Sequence, residues 1–250
     1  QGLAYRVITS ANNNRNHNSP SVYDLKTAMQ NLGNSYVARL IYTVAMEELF
    51  IVKTPVLRSL HEAIWNHSVA VGLAARQLAK RLYLGSPDKY YMIGFLHNIG
   101  APFLLSICEE ITTGKAQESE VILPKIAEEI EMSHTKFSAA LLDQMNLPNE
   151  VVDFSLHHHS PEKLAEMCQH NEVFRIMVLV LCYADRIARS NGNTYPNQIP
   201  ITPPTGIRQD IKEKDLDSEM LQTIATQIKL ELGNSISSFG INYGTDDIVR

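Results

Sequence analysis

The chain has 250 residues, 44% of them hydrophobic and 20% charged, with a formal net charge of −5. That length can bury one large core or two small ones, in a composition ordinary for globular proteins. The net acidity gives no electrostatic reason to expect nucleic acid as a partner. In chain order, residues 24–32 read as a helix closed by Gly33, and 36–49 as the next. Residues 60–82 form the longest stretch, with Ile64, Val71, Ala74 and Leu78 on one face and Arg76, Lys80 and Arg81 elsewhere. Ser86 and Pro87 supply an N-cap and a first helical residue to a short helix. Gly100 is expected to end it and Pro102 to stop it continuing. Further helices are expected at 102–110, 123–131, 133–145, 148–158, 172–190 and 217–232. No segment alternates with period two, so the expected fold class is all-α.

Residues 12–21, rich in Asn, and 191–206, with four prolines, read as loops. The second is expected to separate a main helical domain, 1–190, from a C-terminal helical appendage, 207–250. No internal repeat or long heptad pattern is visible. Cys108, Cys168 and Cys182 form no CxxC pair, which suggests reduced, structural thiols. The apolar run at 176–183 is far shorter than the roughly 20 residues that span a bilayer. No charged, apolar and small-residue leader opens the sequence. The expectation is a soluble, cytoplasmic protein without a membrane partner.

The histidines carry more information through position than through number. His67 lies three residues after Ile64 and four before Val71, on the inward stripe of its helix. His97 ends a short apolar helix, His134 shares a face with Phe137 and Leu141, and His158 follows Val151 by two helical turns. His157 sits one turn after Asp153, and Asp185 interrupts the apolar run VLVLCYADRIA. Each histidine alone is more often a hydrogen-bonded core residue than a ligand. An inward carboxylate on so apolar a helix, however, needs partners, because an unpaired buried charge costs several kcal/mol. Imidazole and carboxylate converging from several helices suit a divalent ion. In FLHNIG, His97 is followed by Asn98, where an aspartate would complete a metal-gripping pair and asparagine offers only a neutral carbonyl oxygen.

WNHSVAVGLAARQLAKRL, GFLHNIG, SHTKFSAALLDQMNLP, LHHHSP and YADRIA, in that order, resemble the HDOD family of bacterial signal-transduction proteins. These are relatives of the HD-domain metal-dependent phosphohydrolases, often with eroded catalytic residues. AYRVITSANN and LKTAMQNLG look like the family's upstream helices, so the resemblance covers roughly residues 4–190. The family's first helices would lie before the point matching Ala4. By resemblance the fold is an HD-domain-like helical bundle. His67 matches the first histidine ligand, His97 the histidine of the HD doublet, Asn98 the place of its aspartate, and Asp185 the distant last aspartate. His134, His157 and His158 resemble the additional ligands of the dinuclear HD-GYP branch. Three departures stand against catalysis: Asn98 itself, Ala101 where catalytic relatives carry a lysine, and Ala63 where some carry a glutamate. The GYP-bearing loop is absent as well. The implied function is a non-catalytic regulatory module that binds a signalling protein or a small phosphorylated or nucleotide ligand. No cofactor is required, although Mn, Fe, Mg, Ni or Zn could bind weakly. The rival reading is a metal-dependent phosphohydrolase acting on a nucleotide or other phosphoester.

Overall fold

Apolar periodicity becomes helix almost throughout the computed structural model, which describes residues 2–15, 19–50, 52–112, 119–204 and 218–239. Among these residues there is no strand, and the fold class is all-α. The chain packs as two units, one formed up to Leu49 and from Lys229 onward, the other by Phe50–Ile228.

The first unit contains α1 (Leu3–Asn13), α2 (Leu25–Leu32) and α3 (Asn34–Leu49). The Asp24 carboxylate accepts the Thr27 N–H at 2.9 Å and so starts α2, while Gly33, at φ +79°, ends it. Val7, Ala11, Ala28, Val37, Leu40 and Val44 are buried. Arg6 bonds Glu47 at 2.7 Å, a pairing that meets the desolvation of two charges.

The second unit is built from α4 (Pro55–Arg81), α5 (Pro87–Leu96), α6 (Gly100–Thr112), α7 (Ser119–Gln144), α8 (Asn149–His157), α9 (Pro161–Cys168) and α10 (Glu172–Ser190). The last helix, α11 (Ser218–Phe239), begins in this unit. α4 is its axis, with α5 and α10 against it. The α4–α5 crossing is tight because two glycines meet there. A Cβ on Gly94 would lie 3.0 Å from the Val71 carbonyl oxygen, and one on Gly72 3.0 Å from that of Tyr91. Trp65 packs edge-on to Phe95 at 5.2 Å between centroids and helps fix the register that brings His67 beside His97.

Two expectations change at this level. Gly100 does not end α5. That helix stops at Leu96, and Gly100 opens α6 with Pro102 in its first turn, where a missing N–H costs nothing. The helices expected at 123–131 and 133–145 are one continuous α7, with Ser133 in its interior rather than at a cap. By length and composition, residues 87–110 are apolar enough to cross a bilayer, but most of the apolar window within them is buried and the turn at 97–99 divides it. This is the pattern of core helices. The proline-rich loop is described through residue 204 and packs in the second unit. The remainder of the expected loop, 205–206, and residues 207–217 of the expected appendage lie outside the described residues.

Candidate functional site

His67 in mid-α4, His97 at the end of α5, His134 in α7 and His158 at the end of α8 are all fully buried, at 0–1% exposure. Their rings form a chain: His67 to His97 at 5.6 Å between centroids, His97 to His158 at 5.2 Å, and His158 to His134 at 5.3 Å. Asp185 of α10 reaches the same basin, with Oδ1 3.6 Å from His67 Nε2. Asn98 stands at its edge, 1% exposed. α6 comes very close to α7 here, since a Cβ on Gly100 would clash with the His134 carbonyl oxygen and the Ser138 backbone nitrogen.

The tautomers follow from the backbone. Nδ1 of His97 lies 2.6 Å from the Gly94 carbonyl oxygen and Nδ1 of His158 2.8 Å from that of Ser155. Nδ1 of His134 lies 2.9 Å from the Glu131 carbonyl oxygen, and Nδ1 of His67 3.0 Å from that of Asn193. A carbonyl oxygen only accepts, so each Nδ1 carries the proton and each Nε2 is left with its lone pair. Burial lowers every one of these imidazole pKa values, that of His67 to about 4, so the rings are neutral at pH 7. One consequence is unusual. Nε2 of His134 and Nε2 of His158 face each other at 3.2 Å, two lone pairs with no proton between them. His159 joins this pair, and the three ligand atoms lie within 4.8 Å of one another. Burial, then the neighbouring His134, lowers the His159 pKa to about 3.

Residues 191–204 form a strap over the basin. The Gln198 amide donates to His67 Nε2 at 2.7 Å, so both ring nitrogens of His67 are engaged by the strap. The Asn98 amide donates to the Tyr195 hydroxyl at 3.3 Å, and that hydroxyl donates to Glu131 Oε2 at 3.0 Å. The Ile199 N–H meets Glu131 Oε1 at 2.7 Å, and the Ile201 N–H meets Asp185 Oδ2 at 3.1 Å. Burial raises the Asp185 pKa to about 6, and burial with the nearby Glu131 carboxylate raises that of Tyr195 well above 10. Asn98 Oδ1 and Asp185 Oδ1 have no hydrogen-bond partner.

The structure therefore brings His67, His97, Asn98 and Asp185 together, with His134 and His158 alongside. His157 is not in the three-histidine group. It is half-buried at the last position of α8, and His159 takes the third place. His158 follows Phe154 by one turn on the buried face, whereas His159 lies beyond the helix, where the turn rather than helical phase aims its ring. Glu131, Tyr195 and Gln198 were missed by sequence reasoning. The last two lie in a loop with no periodicity to give them a direction.

The HDOD domain profile matches residues 1–161. The chain belongs to the HDOD family. No curated protein matches. Among solved structures, an HDOD domain protein of unknown function from Geobacter sulfurreducens is similar at a TM-score of 0.58 and 21% identity, over 96% of this chain and 80% of that one. A protein of Shewanella amazonensis with the name "Putative metal-dependent phosphohydrolase" is similar at 0.57 and 18%, over 92% and 80%. At such identities the likeness extends to the fold.

Whether this HDOD chain suits a divalent ion has two answers. At the HD position it does not as it stands. The His67 lone pair is taken by Gln198, and Asn98 brings no charge to balance a cation. At His134, His158 and His159 the donor set does suit one, because the lone pairs of His134 and His158 face each other with Nδ1 fixed by carbonyls and His159 adds a third nitrogen, as an electrophile such as Zn²⁺ requires. An ion there would lower the pKa of a bound water and polarise a phosphoryl oxygen.

Proposed function

We propose that the chain is a non-catalytic regulatory HDOD module of the cytoplasm. It works by engaging a signalling protein or a small phosphorylated ligand, and its HD site survives as a polar core element closed by the strap. The observation that supports this most strongly is His67, whose two nitrogens are both bonded to the chain's own strap where a hydrolase needs one directed at an ion. Asn98 in place of the doublet aspartate and Ala101 in place of the lysine point the same way. Losing one electrostatic element of this kind costs about two to three powers of ten in rate, although such losses are not simply multiplied.

The alternative is a metal-dependent phosphohydrolase of the HD superfamily acting on a nucleotide or other phosphoester. The facing nitrogens of His134 and His158 favour it, as does the name of the Shewanella relative. The test is a panel of phosphomonoesters, phosphodiesters and cyclic dinucleotides with Mn²⁺, Mg²⁺, Fe²⁺ or Ni²⁺, run on the wild type beside Asn98→Asp and His67→Ala. Silence in the wild type is expected. Turnover that His67→Ala abolishes would promote the hydrolase.

A further inference from the structure

Beside Asp185, α10 and the strap enclose a cleft of about 270 Å³. One wall carries Tyr183, Arg186 and Arg189 from successive turns of α10, and the other Pro200, Ile201 and Pro203 from the strap. Residues three apart on a helix are surface neighbours, so Arg186 and Arg189 share one face of α10 and both line the cleft. Arg186 is exposed, whereas Arg189 lies close enough to Asp185 for its charge to act on that carboxyl. Arg189 donates through Nη2 to the Gln198 carbonyl oxygen at 3.4 Å, while its buried Nη1 has no hydrogen-bond partner. A buried donor without an acceptor is costly, and a charged one more so.

We infer that this cleft binds a compact phosphomonoester, with the phosphate between Arg186 and Arg189 and a small apolar body against the strap prolines. Guanidinium forks match phosphate oxygens in pairs, and two of them suit a dianion better than a single carboxylate. Asp185 also lines the cleft, but its Oδ2 is held by Ile201 and two guanidiniums outweigh one carboxylate. The volume lies below the roughly 300–1,000 Å³ of typical small-molecule sites, which favours a compact ligand over a dinucleotide. The cleft adjoins the histidine basin at Asp185 and the strap but has no histidine in its lining, so the inference goes beyond the regulatory reading and rests on the two arginines.

The experiment is calorimetric titration of the full chain with glycerol 3-phosphate, inorganic phosphate, succinate and a cyclic dinucleotide. Glycerol 3-phosphate is expected to bind one-to-one, more tightly than succinate or the dinucleotide. Arg186→Gln, at an exposed position that does not threaten folding, is expected to weaken it about tenfold or more through loss of a charge-assisted pair. Arg189→Gln is expected to do the same, and Lys136→Gln, which removes an exposed charge outside the cleft lining, to leave binding unchanged. Absence of saturable binding, binding indifferent to Arg186→Gln, succinate binding as tightly, or an equal loss of binding in Lys136→Gln would each overturn the assignment.

Discussion

Acidification is the perturbation to which the buried histidines respond most directly. His67 has its pKa lowered from 6.5 to about 4 and His159 from 6.5 to about 3, with burial the first cause in both. Both release the proton on folding, so the unfolded chain binds more protons and stability falls as pH drops below 6.5. At pH 5 each has lost about 2 kcal/mol, since one pH unit below the unfolded pKa is worth about 1.36 kcal/mol until the folded pKa is reached. Asp185 works the other way. Its pKa rises from 3.8 to about 6, so it takes up a proton first in the folded state and returns about 1 kcal/mol by pH 5. The balance of these three groups is a loss of about 3 kcal/mol between pH 7.5 and pH 5. His97, His134 and His158, also lowered, add to it. That is a sizeable share of the roughly 5–15 kcal/mol that holds a domain together. Urea unfolding followed by circular dichroism at pH 7.5, 6.5, 5.5 and 5.0, with chelator present, measures it. Stability that stays flat or rises from pH 6.5 to 5.0 would refute the neutral, buried histidines.

Gly100→Ala should destabilise the second unit by about 3 kcal/mol, because the new methyl meets the backbone of His134 and Ser138 rather than a movable side chain. Its thermal midpoint should fall by roughly 6–12 °C, and an unchanged midpoint would show that α6 and α7 are not so close. Asn98→Asp should lower the midpoint in chelator, by burying a carboxylate, and recover on adding Zn²⁺ or Mn²⁺. A midpoint that metal raises no more in Asn98→Asp than in the wild type would count against a vestigial ligand position. Gln198→Ala removes one hydrogen bond at a cost of about 1 kcal/mol and frees His67 Nε2, so zinc should bind it more tightly than it binds the wild type. Equal affinities would mean that the strap does not compete with metal.

What the sequence made legible was whatever helical phase controls. Ile64 and Val71 set the inward direction of His67, Val151 and Phe154 that of His158, and the apolar run around Leu181 that of Asp185. The all-α class followed from the same periodicity. Beyond helix ends the signal fails. His159 lies past the last turn of α8, so phase gave it no direction, and His157 looked equally eligible. Tyr195, Gln198 and Ile201 sit in a stretch whose four prolines mark a loop but do not tell whether it leaves the body or folds back over it. Their positions are fixed by hydrogen bonds to Glu131, His67 and Asp185, contacts that span 16 to 131 positions in sequence. The break expected between 131 and 133 is absent, since Met132 and Ser133 are both tolerated inside one long helix.

The central claim is that the strap, and not a metal, holds the histidine of the vestigial HD site. Histidine ¹⁵N NMR of the wild type during a titration to one equivalent of Zn²⁺ reads this at the atom concerned. The account predicts that His67 keeps a protonated Nδ1 and an Nε2 shift unmoved by zinc, while any metal response is confined to His134, His158 and His159. Displacement of the His67 Nε2 signal at one equivalent would contradict it and place an ion where Gln198 now donates.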